Sequence, residues 1–167
     1  MDNSKLKINH LEKIMNRIFY VFVGLMLTFL AFSKEGEKNI SVEFHLAEIA
    51  EANSLIKYTL PDSVTSIFLH KEAFMDNNHI KQAAVEMWQD KPAVRVSLSD
   101  DGKDIFAHIT TNNVKKHVAI LVDGKLVTAP MINAPITKGV AIINGDFTIE
   151  EAERIAARLN ISVSEVK

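Results

Sequence analysis

The sequence predicts an α+β domain, a mainly antiparallel sheet with helices packed on one side, preceded by an N-terminal hydrophobic helix. Three observations predict it. Short apolar runs alternate with polar residues at period two, between turn-forming residues, as half-buried strands do. Two helical stretches each begin with an N-cap signal. One Asp-Gly pair joins two apolar runs and marks a hairpin. The 167 residues suffice for one domain plus a leader and a tail.

From Ile18 to Ser33 the chain reads IFYVFVGLMLTFLAFS, sixteen residues without a charge. As a helix this stretch is about 24 Å long, against a bilayer core of about 30 Å. Lys5, Lys7, Lys13 and Arg17 precede it, opposed by Asp2 and Glu12, a positive bias that keeps the N-terminus inside and sends the rest outward. Two readings stand. One is a signal peptide, with small residues Ala31 and Ser33 placing cleavage before Lys34. The other is an uncleaved anchor in the inner membrane. Residues 1–33 are therefore a signal peptide or anchor, 34–39 a polar linker, 40–160 the domain and 161–167 a patternless, frayed tail.

Ile40, Val42, Phe44 and Leu46 alternate with polar residues and predict the first strand. Residues 47–53 read as a short helical turn, and Ser66–His70 as a second strand. Asp76 or Asn77 caps a predicted helix running to Trp88, with Ile80, Ala83, Ala84 and Met87 on its buried face. Pro92 stops it, and Val94, Val96 and Leu98 form another strand. Ser99 caps the next helix, with Asp100 and Asp101 in its first turn and Ile105, Phe106 and Ile109 facing the core. The run 110–113 (TTNN) ends it. A strand over 117–122 leads through Asp123-Gly124 into 125–129, and Pro130 closes that arm. Residues 139–143 give the last strand. Thr148 and Glu151 form a capping box for a final helix whose core face is Ile149, Ala152, Ile155, Ala156 and Leu159.

Four stretches together resemble the head subdomain of the first periplasmic domain of SecD and SecDF protein-export membrane proteins. They are VEFHLAE (42–48), VRVSLSDDGKDIFAHIT (94–110), VAILVDGKLVTAPMINAPITKGVAIINGDFT (118–148) and EEAERIAARL (150–159). Within them Asp123, Gly124, Ala129, Pro130, Gly139, Gly145, Phe147 and Thr148 fall in the family's order, in roles expected to be structural. The resemblance implies a periplasmic or cell-envelope location, contact with exported or unfolded polypeptide and a role accessory to protein export. The family's Leu-Asp-Leu…Gly-Gly stretch is not found after the apolar segment, and RLNISVSEVK stands where the family exits toward its base. The expected form is a stand-alone head without the intramembrane charges that proton transport needs.

Composition narrows the chemistry. The net charge is −2, which gives no basic field for nucleic acid. There is no cysteine, so thiol chemistry and disulfides are excluded. No G-x-S-x-G, P-loop, G-x-G-x-x-G or H-E-x-x-H occurs. His45, His70, His79, His108 and His117 are scattered, so solvated or capping roles are expected rather than metal binding. No catalytic, cofactor or metal residues are assigned. The leading expectation is a binding module that takes an extended polypeptide or an envelope protein, β-augmentation being one route. The alternatives are an envelope hydrolase in which His108, His117, Asp123 and Lys125 converge, and a self-assembling structural protein. Met131 and Ile132 are candidates for an apolar binding patch or for core positions. Trp88 is expected to pack in the core or at its rim.

Overall fold

The computed structural model describes residues 39–60 and 64–165. The predicted N-terminal helix and the cleavage residues Ala31, Ser33 and Lys34 lie outside them. Among the described residues eight strands and two α-helices follow one another: β1 (Val42–Glu48), β2 (Leu55–Thr59), β3 (Ser66–His70), β4 (Ile80–Trp88), β5 (Lys91–Leu98), α1 (Asp100–Asn112), β6 (His117–Val122), β7 (Lys125–Thr128), β8 (Val140–Asn144) and α2 (Ile149–Glu165). Every pairing is antiparallel. The strands form two sheets rather than the single one expected, in the orders β2-β3-β1-β6-β7 and β4-β5-β8.

Residues 80–88 are the largest departure from expectation. Asp76 does act as a cap, its carboxylate accepting from the Asn78 N–H at 3.0 Å. It caps only one 3-10 turn, Asn77–His79, after which Ile80 turns extended at φ −102°, ψ 133°. Gln82, Ala83, Ala84, Glu86 and Met87 all favour a helix in isolation. The strongly alternating strand β5 overrides them by pairing along the whole length of β4. A register shift between Ile80 and Gln82 explains the misleading spacing. Past that bulge Ala83 and Val85 share the inward face, whereas Ala84 and Met87 are exposed.

Three smaller differences follow. Residues 47–48 continue β1, and no helical turn forms over 47–53. Strand β2 was not expected; its burial is weak, and its partner β3 supplies the apolar face. The tail from Ile161 to Glu165 continues α2, with Ser162 buried.

The main core lies where the inward faces of β1 and β6 (Val42, Phe44, Val118, Ile120) meet those of β5 and β8 (Val94, Val96, Ala141, Ile143). Ala152, Ile155, Ala156 and Leu159 of α2 complete it, while Ile149, expected inside, is 41% exposed. Phe106 of α1 meets Phe44 edge-on, with centroids 6.2 Å apart. Both helix starts are as expected: Ser99 Oγ accepts from the Gly102 N–H at 3.2 Å, and Thr148 and Glu151 exchange reciprocal bonds of 2.9 and 3.2 Å. A second apolar cluster, including Ile67, Leu69, Ala119 and Leu121, lies on the opposite face of the larger sheet. Strand β6 is therefore apolar on both sides, whereas the second face of β1 carries Glu43 and His45 beside Ala47.

Candidate functional site

The two sheets present an edge strand to each other, β7 from the larger and β8 from the smaller. These edges do not pair. They touch at one end, where the Thr128 Oγ1 hydroxyl donates to Asn144 Oδ1 at 3.4 Å and a Cβ on Gly145 would stand 2.8 Å from Val127 Cγ1. Beside that contact, β8 and the chain that follows β7 line a cavity of about 260 Å³.

The sequence builds this groove locally. Asp123 and Gly124 take φ of 48° and 76°, the positive values that a two-residue type I′ turn requires. The return arm is irregular, because the register shifts between Ile120 and Leu121. Beyond β7 the chain stays beside β6: the Val118 N–H donates to the Pro130 carbonyl at 3.0 Å and the Ile132 N–H to the Lys116 carbonyl at 2.8 Å. This arrangement buries Ile132 and leaves Met131 45% exposed on the groove's rim. The candidate patch thus divides into one core residue and one surface residue.

The loop after Ile132 carries Ile136, 36% exposed, onto the same rim. Its position is fixed from below. Thr110, fully buried near the end of α1, donates from Oγ1 to the Phe106 carbonyl at 2.7 Å and accepts the Ile136 N–H at 2.9 Å. Trp88, 44% exposed at the end of β4, forms the third rim residue. Phe106, Val118 and Ile120 form the floor, and none of the described residues lining the cavity carries a charge. Beyond Asn144 a second depression is polar, with Lys91 and Asp146 paired at 3.1 Å.

A family model for the SecDF P1 head subdomain matches residues 47–162. The chain belongs to this family. Among curated relatives, the protein translocase subunit SecD of Rickettsia bellii is 36% identical over 132 residues, covering 73% of this chain and 26% of its own length. That of Sebaldella termitidis is 32% identical over 160 residues, covering 93% and 39%. The chain spans about a quarter to two fifths of the length of these two relatives. Two SecDF structures share the fold at 23% identity. A crystal structure of SecDF in a super-membrane-facing form gives a TM-score of 0.60 over 74% of this chain and 19% of the other. A structure of SecDF, a membrane component that enhances protein export, gives 0.59 over 74% and 63%.

Within this SecDF P1 head Asp123 of the motif is hydrogen-bonded through both its main chain and its side chain. The Asp123 N–H donates to the Ser41 carbonyl at 2.8 Å, Asp123 Oδ1 accepts the Ser41 N–H at 3.1 Å, and Arg158 Nη1 lies 3.5 Å from Oδ2. The turn is thereby tied to the start of β1 and to α2. Gly139 has φ 68° and lies against the Lys103 side chain. Phe147 packs on the main core beside Gly145, and Ala129 on the second cluster.

The polar quartet of the hydrolase alternative does not converge. His117 and Asp123 stand at opposite ends of β6, about 20 Å apart at strand spacing, and His108 is exposed on α1. His45 departs from the solvated role expected of it. It is 6% exposed, its Nδ1 2.9 Å from the His70 carbonyl and its Nε2 3.1 Å from Glu43 Oε2. Ile136, Asn144 and the floor were not singled out from the sequence, because nothing local marks where β8 and the chain after β7 come to line one cavity.

Proposed function

We propose that this SecDF P1 head is a cell-envelope binding module that holds extended, unfolded polypeptide in the groove between β8 and residues 130–136, in support of protein export. The observation that carries the reading is the groove itself. It is apolar, uncharged and open, with Trp88, Met131 and Ile136 exposed along its rim. Exposed large apolar side chains gathered around a cleft mark a binding surface. Kinship with translocase subunits favours polypeptide as the ligand over a small molecule. On this reading residues 18–33 carry the domain across the cytoplasmic membrane, as anchor or as a signal peptide cut between Ser33 and Lys34.

The single tryptophan of the chain supplies the test. A permanently unfolded, alkylated polypeptide titrated into the full chain in lipid nanodiscs is expected to shift Trp88 emission to the blue, saturably. The same polypeptide in its folded form leaves the emission unchanged. Ile136→Asp, which puts a charge on the rim, weakens the response about tenfold. Equal responses to folded and unfolded forms overturn the reading.

A further inference from the structure

We propose that the occupant of the groove pairs through its main chain with the free edge of β8, adding as a new strand to the smaller sheet. This inference rests on the polypeptide-binding reading above and names the surface and the chemistry of the segment it takes.

The two sheets have four lateral edges, and they are not equally available. The β4 edge is blocked at Ala83 by the side chain of Asn160, which both donates to and accepts from that residue's backbone. The β7 edge is four residues long, broken by a register shift and followed at once by Pro130, which has no N–H. The β2 edge carries exposed Lys57 and lies across the larger sheet from the groove, a usual way of blunting an edge.

The β8 edge meets β7 only at its Asn144 end, through the Thr128 hydroxyl; among the described residues nothing comparable covers the rest of it. The Leu98 N–H donates to the Gly139 carbonyl at 2.9 Å, which fixes the alternation of the β5–β8 ladder. Hydrogen-bonded pairs fall at Ala141 and Ile143, opposite Val96 and Val94. The N–H and C=O groups of Val140, Ile142 and Asn144 therefore point away from β5, toward the groove. Among the described residues no hydrogen-bonding partner meets them. An extended chain satisfies such a row at once, since its own donors and acceptors repeat at the same spacing.

Charge fixes the occupant's composition. Among the described residues the cavity beside β8 is lined without one formal charge, so a Lys or Asp entering it would lose hydration and gain no partner there. The nearest cation and anion beyond Asn144, Lys91 and Asp146, already neutralise each other. The segment taken is therefore uncharged for the few residues that run beside β8. Its alternate side chains drop toward the Phe106–Val118 floor, and the others pass Trp88 and Met131.

Amide hydrogen exchange tests the pairing. The probe is an acetylated peptide of about seven residues, alternating valine and serine, long enough to run past a strand of ordinary length. It is added to the full chain in nanodiscs and followed by NMR exchange together with Trp88 fluorescence. Exchange at Ile142 and Asn144 is expected to slow about tenfold or more at saturation, with the amides of β2 unchanged. A Trp88 response without protection in β8 overturns the strand pairing and leaves the broader reading standing. Protection confined to β2 overturns the pairing as well. No Trp88 response and no protection overturns both.

Discussion

Asn160 holds Ala83 as a neighbouring strand would. From α2 its Nδ2 donates to the Ala83 carbonyl at 2.9 Å, and its Oδ1 accepts the Ala83 N–H at 2.9 Å. One side-chain amide thereby satisfies both main-chain groups of a residue on an otherwise open sheet edge. Such edges template association between chains unless something covers them.

Asn160→Ala is accordingly expected to cost about 1–3 kcal/mol, because two partly buried backbone groups lose their partners together. Urea unfolding measures the loss. Light scattering is expected to show concentration-dependent association stronger than the parent's, as the β4 edge comes free. Asn160→Asp keeps the acceptor but not the donor and leaves a carboxylate against the Ala83 carbonyl, so it is no milder than alanine. A fully stable, monomeric Asn160→Ala protein would show that α2 packing alone protects this edge.

Thr110 tests whether the groove's rim is positioned from its floor. Thr110→Val keeps the shape of the side chain but removes the acceptor of the Ile136 N–H. The expected cost is about 1–2 kcal/mol for a stranded amide, read by thermal denaturation. The more telling readout is the unfolded-polypeptide titration. The Ile136 loop loses its tether, so the dissociation constant rises by more than the stability loss alone would produce at a temperature where the variant is fully folded. Thr110→Ser retains the hydroxyl and is expected to restore binding.

The two tight hairpins make a comparison within one molecule. Asp123-Gly124 carries residues suited to positive φ, whereas Gln89 and Asp90 join β4 to β5 at φ of 50° and 63° with ordinary side chains. Left-handed conformations strain such residues by roughly 1–2 kcal/mol each, less for aspartate. Replacing Gln89-Asp90 with Asn-Gly is expected to raise stability by about 1 kcal/mol, measured by urea unfolding. No change, or a loss, would mean that the turn's exposed side chains make compensating contacts.

That same hairpin explains what was legible in the sequence. Asp-Gly announces its turn because such residues accept the backbone required there with the least strain. Gln-Asp concealed an equivalent turn, and without it residues 80–88 scanned as a helix. The bulge after Ile80 imitated helical spacing, and Val85, omitted from the imagined helical face, packs against the core. Helix starts were legible at Ser99 and Thr148 because a cap is a local hydrogen bond between near neighbours. The groove was not, because Trp88, Ile136 and Asn144 are brought together only by the relation between two sheets. Of its rim, Met131 alone was a candidate, as an apolar residue stranded after Pro130.

The acid response of the fold is expected in two steps, assigned to two residues. His117 sits half-buried at the head of β6, and burial lowers its pKa from the ordinary 6.5. The unfolded chain takes up this proton first as pH falls through 6.5, so stability is complete above that value and declines below it, until the folded protein also protonates. Glu48 titrates lower. The Lys116 ammonium, donating at 3.0 Å, and then His70 at 3.2 Å hold its carboxyl below the usual 4.5. Its stabilising contribution is present above 4.5 and is lost as pH falls through that range toward its folded value. Urea midpoints measured from pH 7.5 down to about 3 should therefore bend twice. His117→Asn is expected to remove the upper bend and keep the lower one, and Glu48→Gln to do the reverse. An upper bend that survives His117→Asn would overturn its assignment to His117.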